Sequence, residues 1–156
     1  TATLELLEDA GALDALITPV GGGGLISGSS VAAHSLLPNL PIFAAEPEGA
    51  ADAYESVRSG ERVTDIVPHT ICDGLRAAIG PIDFDLIRAH GVTILPVSDA
   101  ETIAAMRMIW ERMKIIVEPS SATVLAAVLR YKEHFAGKRV GLILTGGNVD
   151  LDRLPW

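Results

Sequence analysis

The chain has 156 residues, enough for one domain with a substantial core. Apolar side chains make up 49% of it and aromatics only 4%, so the core must be aliphatic, and a net charge of −8 argues against nucleic acid or an anionic membrane as partner. The single cysteine, Cys72, excludes an internal disulfide or thiolate metal cluster, and no apolar run approaches the roughly 18 residues of a membrane span, which reads as a soluble, cytoplasmic protein.

Leu4, Leu7, Ala10 and Leu13 recur at helical spacing and predict an amphipathic helix ending near Gly11. The chain starts inside that pattern without an initiator methionine, as a fragment would. "ALITPV" (15–20) is a short buried strand, followed directly by Gly21, Gly22, Gly23 and Gly24. Residues 25–37 predict a helix rich in small side chains, stopped by Pro38. "PIFAAEP" is a second strand, and 49–60 predict a helix closed by Gly60. A less regular polar stretch runs to about residue 81. A helix over 82–90 leads to a third strand, "GVTILPV". Ser98 and Glu101 form a capping box for a helix reaching about Lys114. Pro119-Ser120-Ser121 opens a further helix through Tyr131, and "KRVGLILTGGN" is a fourth strand ending in a glycine pair. Short apolar strands alternating with helices predict an α/β fold, a mainly parallel sheet covered on both faces. Ligands of such sheets sit at the carboxyl ends of the strands, where the glycine run and the "TGGN" turn both fall.

Four successive glycines cost conformational entropy, so their bare backbones call for an explanation. They would present several N–H groups beside a helix N-terminus, which suits a phosphate. Neither G-x-G-x-x-G in register nor a Gly-Lys-Ser/Thr continuation is present. No Lys or Arg lies between Thr1 and Val57, so the donors must be neutral amides; a ligand-free turn is the alternative. Glu46, Glu48 and Asp52 stand close together at a strand end, a pattern for Mg²⁺ or Ca²⁺ or simply for acidic residues at a helix N-terminus. Glu118 precedes a proline-started helix, as a cap-region charge or a site residue. His34, His69, His90 and His134 show no metal-ligand spacing and read as surface or packing residues.

Taken in order, "PVGGGGLISG", "AAEPEGAADAY", "DGLRAAIG", "WERMKIIVEPSSA" and "LTGGNVDL" resemble the second half of the fold-type-II pyridoxal-phosphate enzymes, in the serine racemase and serine/threonine dehydratase group. The likeness runs over essentially the whole chain. It implies a tryptophan synthase β-like large domain, of which residues 1–156 would be the C-terminal part. By this resemblance Gly21, Gly22, Gly23 and Gly24 cradle the phosphate of pyridoxal 5′-phosphate. Gly74 lies against the 3′-oxygen side of the ring, and Glu118 lies beside the cofactor. Thr145 corresponds to the hydroxyl or thiol residue that meets the ring nitrogen. A neutral hydroxyl does not force that nitrogen to stay protonated, which makes the ring a weaker electron sink and favours prompt loss of a β-leaving group.

The resemblance also implies a Mg²⁺ (or Ca²⁺/Mn²⁺) site built from Glu46, the Ala50 carbonyl and Asp52, and a homodimer. Lys114 and Asn148 match positions lining a nucleotide effector site in eukaryotic racemases. The family's Schiff-base lysine and substrate-carboxylate loop belong to its first half; Lys114, Lys132 and Lys138 lack the lysine's context. The expectation is therefore a fragment or one chain of a split enzyme, inactive alone and completed by the missing N-terminal half. Ala77 stands where animal racemases carry a serine, which favours a dehydratase, and Arg76 offers charge to a substrate with a second carboxylate. The implied reaction removes water from serine, threonine or 3-hydroxyaspartate to give a 2-oxo acid and ammonia. The alternatives are a serine racemase, a non-catalytic phosphate- or nucleotide-binding module, and an α/β interaction domain.

Overall fold

Alternation along the strands decides how this chain folds. Leu16, Ile42, Ala44 and Ile94 face one way and join one buried cluster, while Ala15, Ile17, Phe43, Ala45, Leu95 and Val97 face the other way and join a second. A sheet apolar on both sides needs helices on both, and that is the architecture of the computed structural model, which describes residues 1–156.

The elements in chain order are α1 (Ala2–Ala10), β1 (Ala15–Pro19), α2 (Gly24–Leu36), β2 (Ile42–Pro47), α3 (Asp52–Ser59), α4 (Pro81–Ala89), β3 (Thr93–Val97), α5 (Asp99–Met113), α6 (Pro119–Arg130), α7 (Lys132–Phe135) and β4 (Val140–Leu142). Single 3₁₀ turns at Glu48–Ala50 and Asp73–Leu75 complete the list. All strand pairs are parallel, in the order β3-β2-β1-β4, with Leu16 opposite Ile42 and Gly141 and Ala45 opposite Leu95. Helices α1, α2 and α4 cover one face through Leu7, Ile26, Ala33, Phe84 and Ile87. Helices α5, α6 and α7 cover the other through Ala105, Val124, Ala127 and Phe135. No helix is long and apolar enough to cross a membrane.

Successive strands step outward from β1 to β2 to β3, and the chain then returns to place β4 on the far side of β1. The order reverses between β1 and β4, so a crevice opens at their carboxyl ends. The glycine run leaves β1 and the TGGN turn follows β4, so both loops border that crevice.

Several boundaries differ from the sequence reading. The pairing of β4 stops at Leu142, so residues 143–148 are not strand. Residues 49–60 divide into a 3₁₀ turn and a shorter α3. Helix α1 ends where the sequence reading put it, at Ala10 with Gly11 at a positive φ, but its face differs: Leu13 lies beyond it, Leu4 is exposed, and the buried residues are Thr3 and Leu7. The Ser98–Glu101 capping box is formed in full.

Candidate active site

The glycine run is shaped by what lies behind it. A Cβ on Gly21 would stand 2.9 Å from the Leu75 Cα, so two backbones touch there. Gly23 caps α2 with φ 99° and ψ −13°, and a Cβ on it would stand 2.5 Å from the Asp83 Cβ. Gly22 and Gly24 have room for a Cβ as far as the protein is concerned. The Gly22 carbonyl accepts the Gly80 N–H at 2.9 Å and the Gly23 carbonyl accepts the Ser27 N–H at 2.9 Å. None of the consecutive amides from Gly21 to Ile26 donates to a protein acceptor, and no side chain caps α2. Unsatisfied N–H groups at a helix N-terminus form an anion site, and here the residues from Gly21 to Leu25 border a cavity of about 300 Å³.

The cavity is lined by Pro19, Gly21 to Leu25, Gly74, Leu75, Glu118, Ser120 and Thr145. It brings together every cofactor-contacting residue named from the sequence, with Gly74 arriving on the 3₁₀ turn 73–75, Glu118 on the N-cap of α6 and Thr145 just beyond β4. Glu118 is strapped to the TGGN turn: its N–H donates to the Gly146 carbonyl at 3.0 Å, and its carboxylate accepts the Asn148 N–H at 2.8 Å. The turn approaches so closely that a Cβ on Gly146 would lie 3.3 Å from both Glu118 carboxylate oxygens. Sequence reasoning left Ser120 and Ser121 without a role beyond opening a helix. The Ser120 hydroxyl accepts the Gly74 N–H at 3.1 Å, and the Ser121 hydroxyl accepts the Thr145 N–H at 2.9 Å. The doublet at the start of a helix was the available signal.

No lysine reaches the cavity. Lys114 caps α5 in a left-handed conformation, Lys132 begins α7, and Lys138 precedes β4. Arg76 does not line the cavity; it is exposed, and its guanidinium donates to the Thr70 carbonyl at 2.6 Å. A hollow of about 390 Å³ lies at the amino ends of the strands, where the Asp14 carboxylate is taken up by the Arg139 N–H.

The acidic group at the β2–α3 junction separates into parts. Glu48 turns away to Arg130, which also binds Glu101. Glu46 and Asp52 are fully buried, and no cationic side chain pairs with either. The two Glu46 oxygens accept the Ala53 and Tyr54 N–H groups, both at 2.8 Å, and one Asp52 oxygen accepts the Ile79 N–H at 2.7 Å. Burial pushes the Glu46 carboxyl up to about 8 against the lowering by those amides, and burial also raises Asp52. Ala50 closes the 3₁₀ turn between them. No third carboxylate, histidine or cysteine joins the pair, so a cation here would draw its remaining ligands from carbonyls and water. Two buried carboxylates without a cationic partner fit such an ion chemically.

Other sequence candidates have plain structural roles. His34 and His90 meet across α2 and α4 with their Nδ1 atoms 2.8 Å apart, a contact that their spacing along the chain does not show. Cys72 is buried and its thiol is pushed up to about 12 by burial, which leaves it inert.

Comparison with known proteins gives the class that this crevice belongs to. Residues 1–146 match the family model described as pyridoxal-phosphate dependent enzyme, and the chain belongs to that family. It is 47% identical over its whole length to a beta-hydroxyaspartate dehydratase of Paracoccus denitrificans, covering 50% of that protein. It is 51% identical to a serine racemase of Dictyostelium discoideum, with 99% of this chain and 49% of the relative covered. The solved maize serine racemase superposes with a TM-score of 0.91 at 42% identity, over 96% of this chain and 48% of that one. The fold is thus that of the fold-type-II pyridoxal-phosphate enzymes, and the chain spans about half the length of the curated relatives it matches.

Proposed function

We propose that this chain forms the phosphate-, ring- and cation-binding part of a pyridoxal-phosphate ammonia-lyase that eliminates water from a β-hydroxy amino acid, giving a 2-oxo acid and ammonia. Serine, threonine and 3-hydroxyaspartate are the substrate class. The observation that carries the reading is the row of unpartnered amides from Gly21 to Leu25, on residues lining a cavity that also gathers Gly74, Glu118 and Thr145. In this reading residues 1–156 are the C-terminal part of the large domain, in a homodimeric cytoplasmic enzyme.

Pyridoxal phosphate, when bound, supplies the sink for the electron pair left when the substrate loses its α-proton. The protein's own groups hold and orient it. The amides of Gly21, Gly22, Gly23 and Gly24 and the N-terminus of α2 bind the phosphate without a cationic side chain. Gly74 presents bare backbone to the ring, and Thr145 offers a neutral hydroxyl to the ring nitrogen. Glu118 acts by holding the TGGN turn in place. Glu46, the Ala50 carbonyl and Asp52 hold Mg²⁺ (or Ca²⁺/Mn²⁺), which offsets two buried carboxylate charges and fixes the β2–α3 junction. The lysine that moves the α-proton comes from polypeptide beyond these residues, since the cavity holds none.

Racemisation of serine is the rival, because relatives at similar identity carry both names. The Ala77 side chain, which lies next to Gly22 in space, has no acid/base group and supports the lyase. The test is to incubate the assembled enzyme with L-serine, L-threonine and L-threo-3-hydroxyaspartate. The lyase releases ammonia and 2-oxo acid in equal amounts, dependent on pyridoxal phosphate; D-serine as the main product would establish the rival. Borohydride reduction with mass measurement of every polypeptide locates the lysine. A phosphopyridoxyl group on a lysine outside this chain is expected, and a preparation with no adduct and no visible absorbance would support a non-catalytic binding module.

A further inference from the structure

We propose that Ser120 and Ser121 are positioning residues that set the spacing of the ring slot, Ser120 through Gly74 and Ser121 through Thr145. The inference rests on the cofactor reading above and deepens it.

Pro119, Ser120 and Ser121 form the first turn of α6, behind Glu118 at the N-cap, so the two serines stand at its second and third positions. Each hydroxyl accepts an N–H from a different, distant segment. Consecutive helical residues point about 100° apart, so adjacent hydroxyls diverge. Ser120 is directed to the turn 73–75 and Ser121 to the residue after Leu144, which are the two parts of the cavity bearing Gly74 and Thr145. Both side chains are buried, at 2% and 0% exposure, so each hydroxyl is held where a missing partner would be costly. Helix α6 is a rigid base for them, packed against β1, β2, β3 and α5, and the Thr123 hydroxyl donates to the Ser120 carbonyl at 2.8 Å. The separation of the two walls is therefore set by neighbouring residues of one helix, although the walls themselves are loops.

The two contacts are unequal. The Gly74 N–H also reaches the Asp73 carboxylate at 3.0 Å and keeps that acceptor if Ser120 is lost. The Thr145 N–H has no acceptor besides Ser121. Ser121 is accordingly the stronger determinant, and its effect should appear at the ring nitrogen.

The experiment uses the holoenzyme, with pyridoxal phosphate as the probe, and compares Ser120→Ala, Ser121→Ala, Thr145→Ala and the Ser121→Ala/Thr145→Ala double variant. Cofactor affinity and the pH profile of the bound cofactor's visible absorbance are measured for each. Ser121→Ala should weaken affinity about tenfold and displace the pH profile, Ser120→Ala should weaken it about threefold, and Ser121→Ala should cause no further displacement once Thr145 is alanine. A purely structural serine would lower stability without moving the pH profile. An unmoved profile in Ser121→Ala, or the same displacement in the Thr145→Ala background, overturns the proposal. If Ser121→Ala does not fold, Ser120→Ala decides on affinity: unchanged binding overturns the proposal. Wild-type protein that binds no pyridoxal phosphate refutes the cofactor reading itself, an outcome distinct from the others.

Discussion

Replacing Gly23 by alanine separates two costs that the structure makes visible. At φ 99° the residue sits where an L side chain is disfavoured by about 1–2 kcal/mol. The new Cβ would also stand 2.5 Å from the Asp83 Cβ, an overlap that must be relieved by moving α2 against α4 at about 1–3 kcal/mol. Gly23→Ala should therefore lose about 2–5 kcal/mol of unfolding free energy, a large part of an ordinary domain's stability. Urea unfolding at fixed pH measures it, through the shift of the midpoint at unchanged slope. Asp83→Gly removes the overlap but not the dihedral cost, so the double variant should be about 1–3 kcal/mol more stable than the sum of the single losses implies. A Gly23→Ala loss below about 1 kcal/mol, or strict additivity with Asp83→Gly, would refute the reasoning.

Three further expectations follow from the same geometry. Gly22→Ala has an ordinary 3.7 Å contact with Ala77, so it should leave stability within about 1 kcal/mol while weakening pyridoxal phosphate binding about tenfold in a titration; unchanged affinity would remove Gly22 from the cradle. Asp52→Asn keeps an acceptor for the Ile79 N–H but loses the charge, so the rise in melting temperature on adding Mg²⁺ should vanish; an unaltered rise would remove Asp52 from the cation site. In EDTA the folded protein holds the Glu46 proton up to about pH 8, whereas the unfolded chain releases it near 4.5. The folded state binds more protons in between, so this contribution is full below about pH 4.5 and is lost as pH rises through 8. Chemical unfolding across that range should show stability falling with pH, the fall being smaller in Glu46→Gln, where only the raised Asp52 carboxyl still contributes to it; a slope of the opposite sign contradicts the assignment.

How far the sequence revealed the fold can be judged from particular residues. Leu16, Ile17, Ala44 and Ala45 alternate between faces within unbroken apolar runs, and runs of that kind are legible as buried parallel strands. The glycine run and the TGGN turn were placed at strand carboxyl ends by local pattern alone. The strand order that makes them neighbours depends on β4 pairing with β1 across more than a hundred residues, and local periodicity carries no such signal. Long-range contact also explains what was missed. Arg76 turns to Thr70, His34 meets His90, and Ser120 and Ser121 reach segments on either side of the cavity. The short pairing of β4 is a further case: after Ile143, whose N–H still donates to Ile17, the chain leaves the sheet, and Glu118 holds it at Gly146 and Asn148.

The central claim is that the glycine cradle binds the phosphate of pyridoxal phosphate, and the most direct measurement compares that compound with pyridoxal, which lacks the phosphate, by calorimetric titration. Several charge-assisted amide bonds are at stake, each about 1.5–3 kcal/mol, so pyridoxal phosphate should bind at least about 100-fold more tightly. Equal affinity for the two compounds would contradict the account.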